Sequence, residues 1–151
     1  MAKFRGRFDF SIDQKGRINI PSKFRKILSP AAEETFVISR GPDSCLWAYP
    51  KDEWEKYEDT LESMPMSREV NKFQRTMQNT VSDSALDKQG RISLTPLQMK
   101  IAGINKDVSI IGRGSYLEIW DKKSFEEYTG KGENYDDVCY QSLSPGMVST
   151  K

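Results

Sequence analysis

Two stretches of the chain place the same chemistry at the same spacing. "DQKGRINIP" runs from Asp13 to Pro21, and "DKQGRISLT" runs from Asp87 to Thr95. In each, an aspartate stands four residues before an arginine, with a glycine directly before the arginine. A guanidinium is a planar fork that can meet phosphate, or guanine O6/N7 in a major groove, through paired hydrogen bonds. The alternative is an arginine paired with its own turn aspartate, an interaction worth little at a surface. Strand alternation puts Ile18 and Ile20 on one face, with Arg17 and Asn19 on the other. Likewise Ile92 and Leu94 point in, while Arg91 and Ser93 point out. Both arginines are therefore expected to be exposed just past a hairpin tip.

The surroundings of the first motif favour the phosphate reading. Lys15, Arg17, Lys23, Arg25 and Lys26 cluster on the turn, the return strand and the helix after it, with Lys3, Arg5 and Arg7 on the strand before. Each phosphate such a patch neutralised would release counterions and make binding salt-dependent. The second copy is poorer, with Lys88, Arg91 and Lys100; Gln98 and Met99 stand where the first copy has Phe24 and Arg25. The net charge of +1 conceals this segregation. Residues 1–28 hold eight basic against two acidic side chains, and residues 51–69 hold three against seven. A basic face could meet phosphate and an acidic one a neighbouring subunit, or both could simply be solvated.

Most other chemistries are closed, and carboxylate catalysis stays possible only in principle. The chain has no histidine, which removes Ser-His and Cys-His nucleophiles. Cys45 and Cys139 cannot supply the four ligands of a structural zinc site. "GRGSYL" (112–117) carries Leu117 where a dinucleotide loop needs its third glycine, and no phosphate-loop "GK[ST]" occurs. No carboxylate pair stands out. The expectation is a non-enzyme with no cofactor, no metal and no small-molecule substrate. No apolar run approaches the roughly 20 residues of a membrane helix, and an apolar leader is missing from the N-terminus. Two distant cysteines suit a reducing cytoplasm.

The elements that must carry the motifs repeat as well. Ile12-Asp13 matches Leu86-Asp87, and Gly16-Arg17-Ile18 matches Gly90-Arg91-Ile92, at an offset of 74; Gly41, Leu46 and Lys51 match Gly112, Leu117 and Lys122 at 71. The loop between helix and strand absorbs the difference. Two tandem copies result, within residues 1–62 and 81–129, with a connecting helix in 63–80 and a flexible tail in 130–151. Each copy reads as strand, turn, return strand, short helix, two strands and a closing helix. Asp-x-x-Gly suits a hairpin with a type I turn, Asp13 or Asp87 capping amides two residues on, and Gly16 or Gly90 in left-handed geometry. Pro21 with Ser22, and Thr95 with Pro96, start the short helices, and Gly103 stops the second. Asp52 and Asp121 are the expected caps of the closing helices, and Ser67 that of the connecting helix. In the latter, Val70, Phe73 and Met77 form one apolar stripe, read as packing.

The stretches "FRGRFDFSIDQKGRINIPSKFR", "LWAYPKDEWEKYE", the arginine of "FQR", and "DKQGRISLTPLQMKIAGI…YLEIWDKKSF" together resemble the MraZ family of bacterial transcriptional regulators across Phe4–Tyr128. The resemblance implies an α+β, mainly β fold. Two tandem AbrB-like β-hairpin/helix repeats would form an intertwined, pseudo-dimeric double-split barrel with flanking helices. It implies a cytoplasmic, nucleoid-associated homo-oligomeric ring, an octamer or larger. Such a ring would bind short G-rich direct repeats in double-stranded promoter DNA and act mainly as repressor of its own division and cell-wall operon. Arg17 would be the main DNA contact, supported by Lys15 and Arg91, with Lys88, Lys23, Arg25 and Arg5 in the same basic set. Asp13, Gly16, Asp87 and Gly90 would hold the turns. The family's I-P-x-x-L-R survives as "IPSKFR" in the first half. Thr95, Gln98 and Met99 depart from it in the second, which points to packing or an interface there. An oligomeric scaffold and an AbrB-fold antitoxin remain as alternatives; two linked copies argue against the latter.

Overall fold

The strands at residues 7–11, 17–19, 82–85 and 91–93 alternate between more and less buried side chains, whereas those at 35–40, 46–50, 107–112 and 117–121 are buried almost throughout, because both faces of the sheet are covered. In the computed structural model, which describes residues 3–132, 134–143 and 146, the elements follow the expected order twice. The first copy runs β1 (Arg7–Ser11), β2 (Arg17–Asn19), α1 (Ser22–Lys26), β3 (Thr35–Arg40), β4 (Leu46–Pro50) and α2 (Lys51–Glu62). The connecting helix is α3 (Arg68–Gln78). The second copy runs β5 (Ser82–Ala85), β6 (Arg91–Ser93), α4 (Pro96–Ala102), β7 (Asp107–Gly112), β8 (Leu117–Asp121) and α5 (Lys122–Gly130), followed by α6 (Tyr135–Ser142). The protein is α+β with an antiparallel six-stranded sheet and a separate two-stranded ribbon. No helix among the described residues is long and apolar enough to cross a membrane.

The β3–β4 and β7–β8 ladders pair within a copy, but the strands flanking each Asp-x-x-Gly-Arg turn pair across the copies. β1 pairs with β7, β5 with β3, and β2 with β6, where Ile18 faces Ile92. The sheet order β1-β7-β8-β4-β3-β5 is unchanged when the copies are exchanged. The expected ladder between β1 and its own return strand does not form. The turn itself does form, since Asp13 N donates to Arg17 O at 3.1 Å and Gly16 N to Asp13 O at 3.0 Å. Beyond it the chain diverges, because a three-residue return strand buries little against its own copy. Against its counterpart it covers a shared core. Ile18, Ile20, Phe24, Ile92 and Leu94 pack over Phe36, Ile38, Leu46, Val108, Ile110, Leu117 and Ile119. The sheet does not close, and β1 and β5 remain its edges.

The opposite face of the sheet carries Val37 and Tyr49 under Trp54 and Leu61 of α2 and Met77 of α3. Several caps match expectation. Ser67 accepts from Val70 N, and Asp121 from Ser124 N. Thr95 caps α4, and Gly103 ends it at φ +64°. Two expectations fail. α2 begins two residues early, with Pro50 rather than Asp52 at its cap and no side-chain bond. Asp52 instead sits in the first turn, where its charge suits the helix dipole. Of the α3 stripe, Met77 is buried but Phe73 stays 44% exposed. The tail is also not structureless throughout, since Asn134 caps α6 by accepting from Asp137 N at 2.9 Å. Residues 133, 144–145 and 147–151 of that tail lie outside the described residues.

Candidate nucleic-acid interface

One carboxylate does two jobs in each motif. Asp13 Oδ1 accepts from Lys15 N and Arg17 N, both at 2.9 Å, while Oδ2 accepts from Arg17 Nε at 2.7 Å. Asp87 repeats the pattern with Gln89 N, Arg91 N and Arg91 Nε at 2.9, 2.9 and 2.8 Å. The two turn readings of the aspartate, amide cap and arginine partner, are therefore both realised. Bonds from the arginine's backbone N–H, with its guanidinium and the neighbouring amide, hold each carboxyl below its ordinary range. Gly16 and Gly90 both take φ +77°, which a side chain would resist.

The ribbon brings the two motifs together. Each turn is tied to the other copy's return strand, through Ile20 N to Gly90 O at 2.9 Å and Leu94 N to Gly16 O at 2.8 Å. Arg17 stands opposite Ser93, and Asn19 opposite Arg91. Arg91 Nη1 also reaches to 3.7 Å from Asp13 Oδ2 of the first copy. The arginine side chains are half-buried, at 31% and 22% exposure, so the expectation of free exposure is corrected. The carboxylate below and the neighbouring strand shield them. In both motifs the ion pair to the turn aspartate is made through the arginine Nε.

Of the remaining candidates, Lys15 and Lys88 are exposed on the turns. Lys23 lies 5.6 Å from the centre of the Phe8 ring. Arg25 crosses to the second copy: a Cβ on Gly90 would meet its Nε and Cζ at 2.6 Å, and its Nε donates to Ile20 O at 3.0 Å. Met99, its counterpart, covers Gly16 in the same way. Arg5 is not brought to the turns. It lies beside Gly112, at the opposite end of β1 from Asp13, roughly 26 Å away along an extended chain. Arg7 is engaged by Asp9 and Glu126.

Sequence reasoning missed two features of this region. Gln98 is fully buried and donates to Thr80 O at 2.8 Å and Ser82 Oγ at 2.9 Å, while accepting from Thr95 N at 3.0 Å. Its place three residues after a Thr cap was the available signal. Glu118 is also nearly buried, accepting from Trp47 Nε1, Trp120 Nε1 and Arg113 Nη1. It occupies the position of Trp47 in the second copy, and the two face each other across β4 and β8; no motif announced it.

A family model described as "MraZ protein, putative antitoxin-like" matches residues 4–80 and 77–137. The chain belongs to the MraZ family. The two matched stretches meet at the end of α3, so each MraZ copy carries one D-x-x-G-R turn. The transcriptional regulator MraZ of Oenococcus oeni is 39% identical over 138 residues, covering 90% of this chain and 94% of that protein. Each turn is tied to the other copy's return strand, and Arg25 and Met99 each cover the glycine of the opposite motif.

Proposed function

We propose that this chain is a sequence-specific DNA-binding transcriptional regulator whose reading element is the β2–β6 ribbon. The observation that carries this is the convergence of Arg17, Asn19, Arg91 and Ser93 on one outward face, with both arginines aimed by carboxylates. A two-stranded ribbon fits a major groove, and an arginine fork meets guanine O6/N7. Holding the arginine in place beforehand lowers the entropy lost on binding. Lys15, Lys88, Lys23 and Arg25 then supply phosphate contacts, which position the ribbon without reading sequence. By family resemblance, the exchange of strands between copies is read as an AbrB-like swapped-hairpin pseudo-dimer, a reading supported by the β2–β6, β1–β7 and β3–β5 pairings. By family resemblance the targets are short G-rich direct repeats upstream of its own division and cell-wall operon, bound by a ring and repressed, in a cytoplasmic, nucleoid-associated setting. Repeated tips on a ring gain avidity from repeated boxes.

The test is titration of the DNA upstream of the operon against a scrambled duplex at several salt concentrations. Specific, salt-sensitive binding that is lost in Arg17→Ala, with oligomer size unchanged, supports the reading. Wild-type affinity in Arg17→Ala overturns the site. Absence of salt-sensitive binding by the wild type overturns the function.

A further inference from the structure

Apart from Leu97 on α4 and Tyr128 on α5, the exposed large apolar side chains among the described residues gather in two unlike places. The first is a groove of about 630 Å³ between α3 and the outer face of the sheet. Trp47, Tyr57, Met77 and the exposed Phe73 line it, together with two cations, Arg40 and Lys72, and one carboxylate, Glu69. Met66, 73% exposed, precedes the same helix. The second place is α6, where Tyr135, Val138 and Tyr140 are exposed, with Leu143 exposed just after it. Tyr135 and Val138 are three apart and so lie on one side of α6.

The repeat explains why these places differ. α6 follows α5 in the second copy as α3 follows α2 in the first, and Tyr57 of α2 matches Tyr128 of α5 at the offset of 71. In the first copy α3 folds back and buries Met77 against Val37. In the second copy α6 buries none of its residues, and Tyr128 is left 56% exposed. α6 does not line the groove of its own chain. The charges are complementary. α3 holds Arg68, Lys72 and Arg75 against Glu69, whereas α6 holds Asp136 and Asp137 with no basic residue.

We propose that α6 of one chain docks in the α3 groove of a second copy of this chain, Tyr135 and Val138 entering between Phe73 and Trp47 while Asp136 and Asp137 face Arg40 and Lys72. This is helix-in-groove recognition with anchors one helical turn apart. Because the two surfaces are unlike, the contact is heterologous, and successive copies close into a ring or extend. The inference rests on the ring part of the proposed function and names its joint. It is independent of the DNA-reading ribbon, which lies across the sheet from the groove.

The experiment is light scattering on the full chain without DNA. Phe73→Glu blocks the groove and Val138→Glu blocks the helix; far-UV circular dichroism checks that both fold. The wild type is expected as a large oligomer and each variant alone as a monomer. Mixing the two variants should give dimers only, because one intact groove then meets one intact α6. Lys72→Glu and Asp137→Lys, both exposed, provide a second pair that should each weaken the oligomer and partly restore it when combined in one chain. A monomeric wild type, variants that keep wild-type size, or a mixture that stays monomeric would each overturn the docking. Arg17→Ala should leave the size unchanged, so loss of DNA binding there separates failure of the ribbon from failure of the joint.

Discussion

Arg25 of the first copy lies across Gly90 of the second, so close that a Cβ on the glycine would sit 2.6 Å from its Nε. The mirror relationship holds between Met99 and Gly16, but there the tighter neighbour is backbone, Leu94 O at 2.8 Å. Gly16→Ala should therefore cost more than Gly90→Ala. Both force φ +77° on a side chain, at about 1–3 kcal/mol, but only the long Arg25 side chain can move aside. Urea unfolding of the two variants decides the order. Arg25→Ala combined with Gly90→Ala should cost less than the sum of the two, because the clash is gone.

Ile18 and Ile92 face each other at the centre of the ribbon, both fully buried. Either changed to alanine should cost about 2–5 kcal/mol, and the two losses should be similar because the positions are equivalent. Denaturant midpoints measured at equal m-value check this. A loss below 1 kcal/mol in one of them would mean that the ribbon does not seal the core.

Asp13 and Asp87 are held ionised below the ordinary aspartate range, mainly by the arginine amides and guanidinium. A carboxyl depressed in the folded state adds stability that is present above its unfolded pKa, about 3.9. That stability disappears as pH falls through the lower folded value. The protein should thus hold its thermal midpoint from pH 7 to about pH 5 and lose it progressively below pH 4. Asp13→Asn should be less stable than wild type at pH 7 and show a shallower acid decline. Scanning calorimetry across that range reads both effects.

Gln98 stands where the family pattern has leucine, and its amide bonds the carbonyl of Thr80 and the hydroxyl of Ser82. Gln98→Leu should cost about 1–3 kcal/mol, since buried partners are left without a donor. An unchanged melting point would show that those groups find water instead.

The sequence by itself determined the two copies, the order of elements within each, the turn chemistry of Asp-x-x-Gly-Arg and the inward faces of the strands. These are local matters: side-chain alternation, a glycine at positive φ, a Ser, Thr or Asp before a helix. They are legible because the cause lies within a few residues of the effect. Only the tertiary structure decided with which strand each return strand pairs, because Ile18 can satisfy its alternation against any apolar ribbon of matching length. That pairing placed Arg17 and Arg91 on one face and half-shielded them. It set Arg25 on the other copy's turn and left Arg5 at the far end of β1. It also decided that α3 covers its half of the sheet while α6 leaves its apolar side open, a difference of packing geometry that no spacing along the chain encodes.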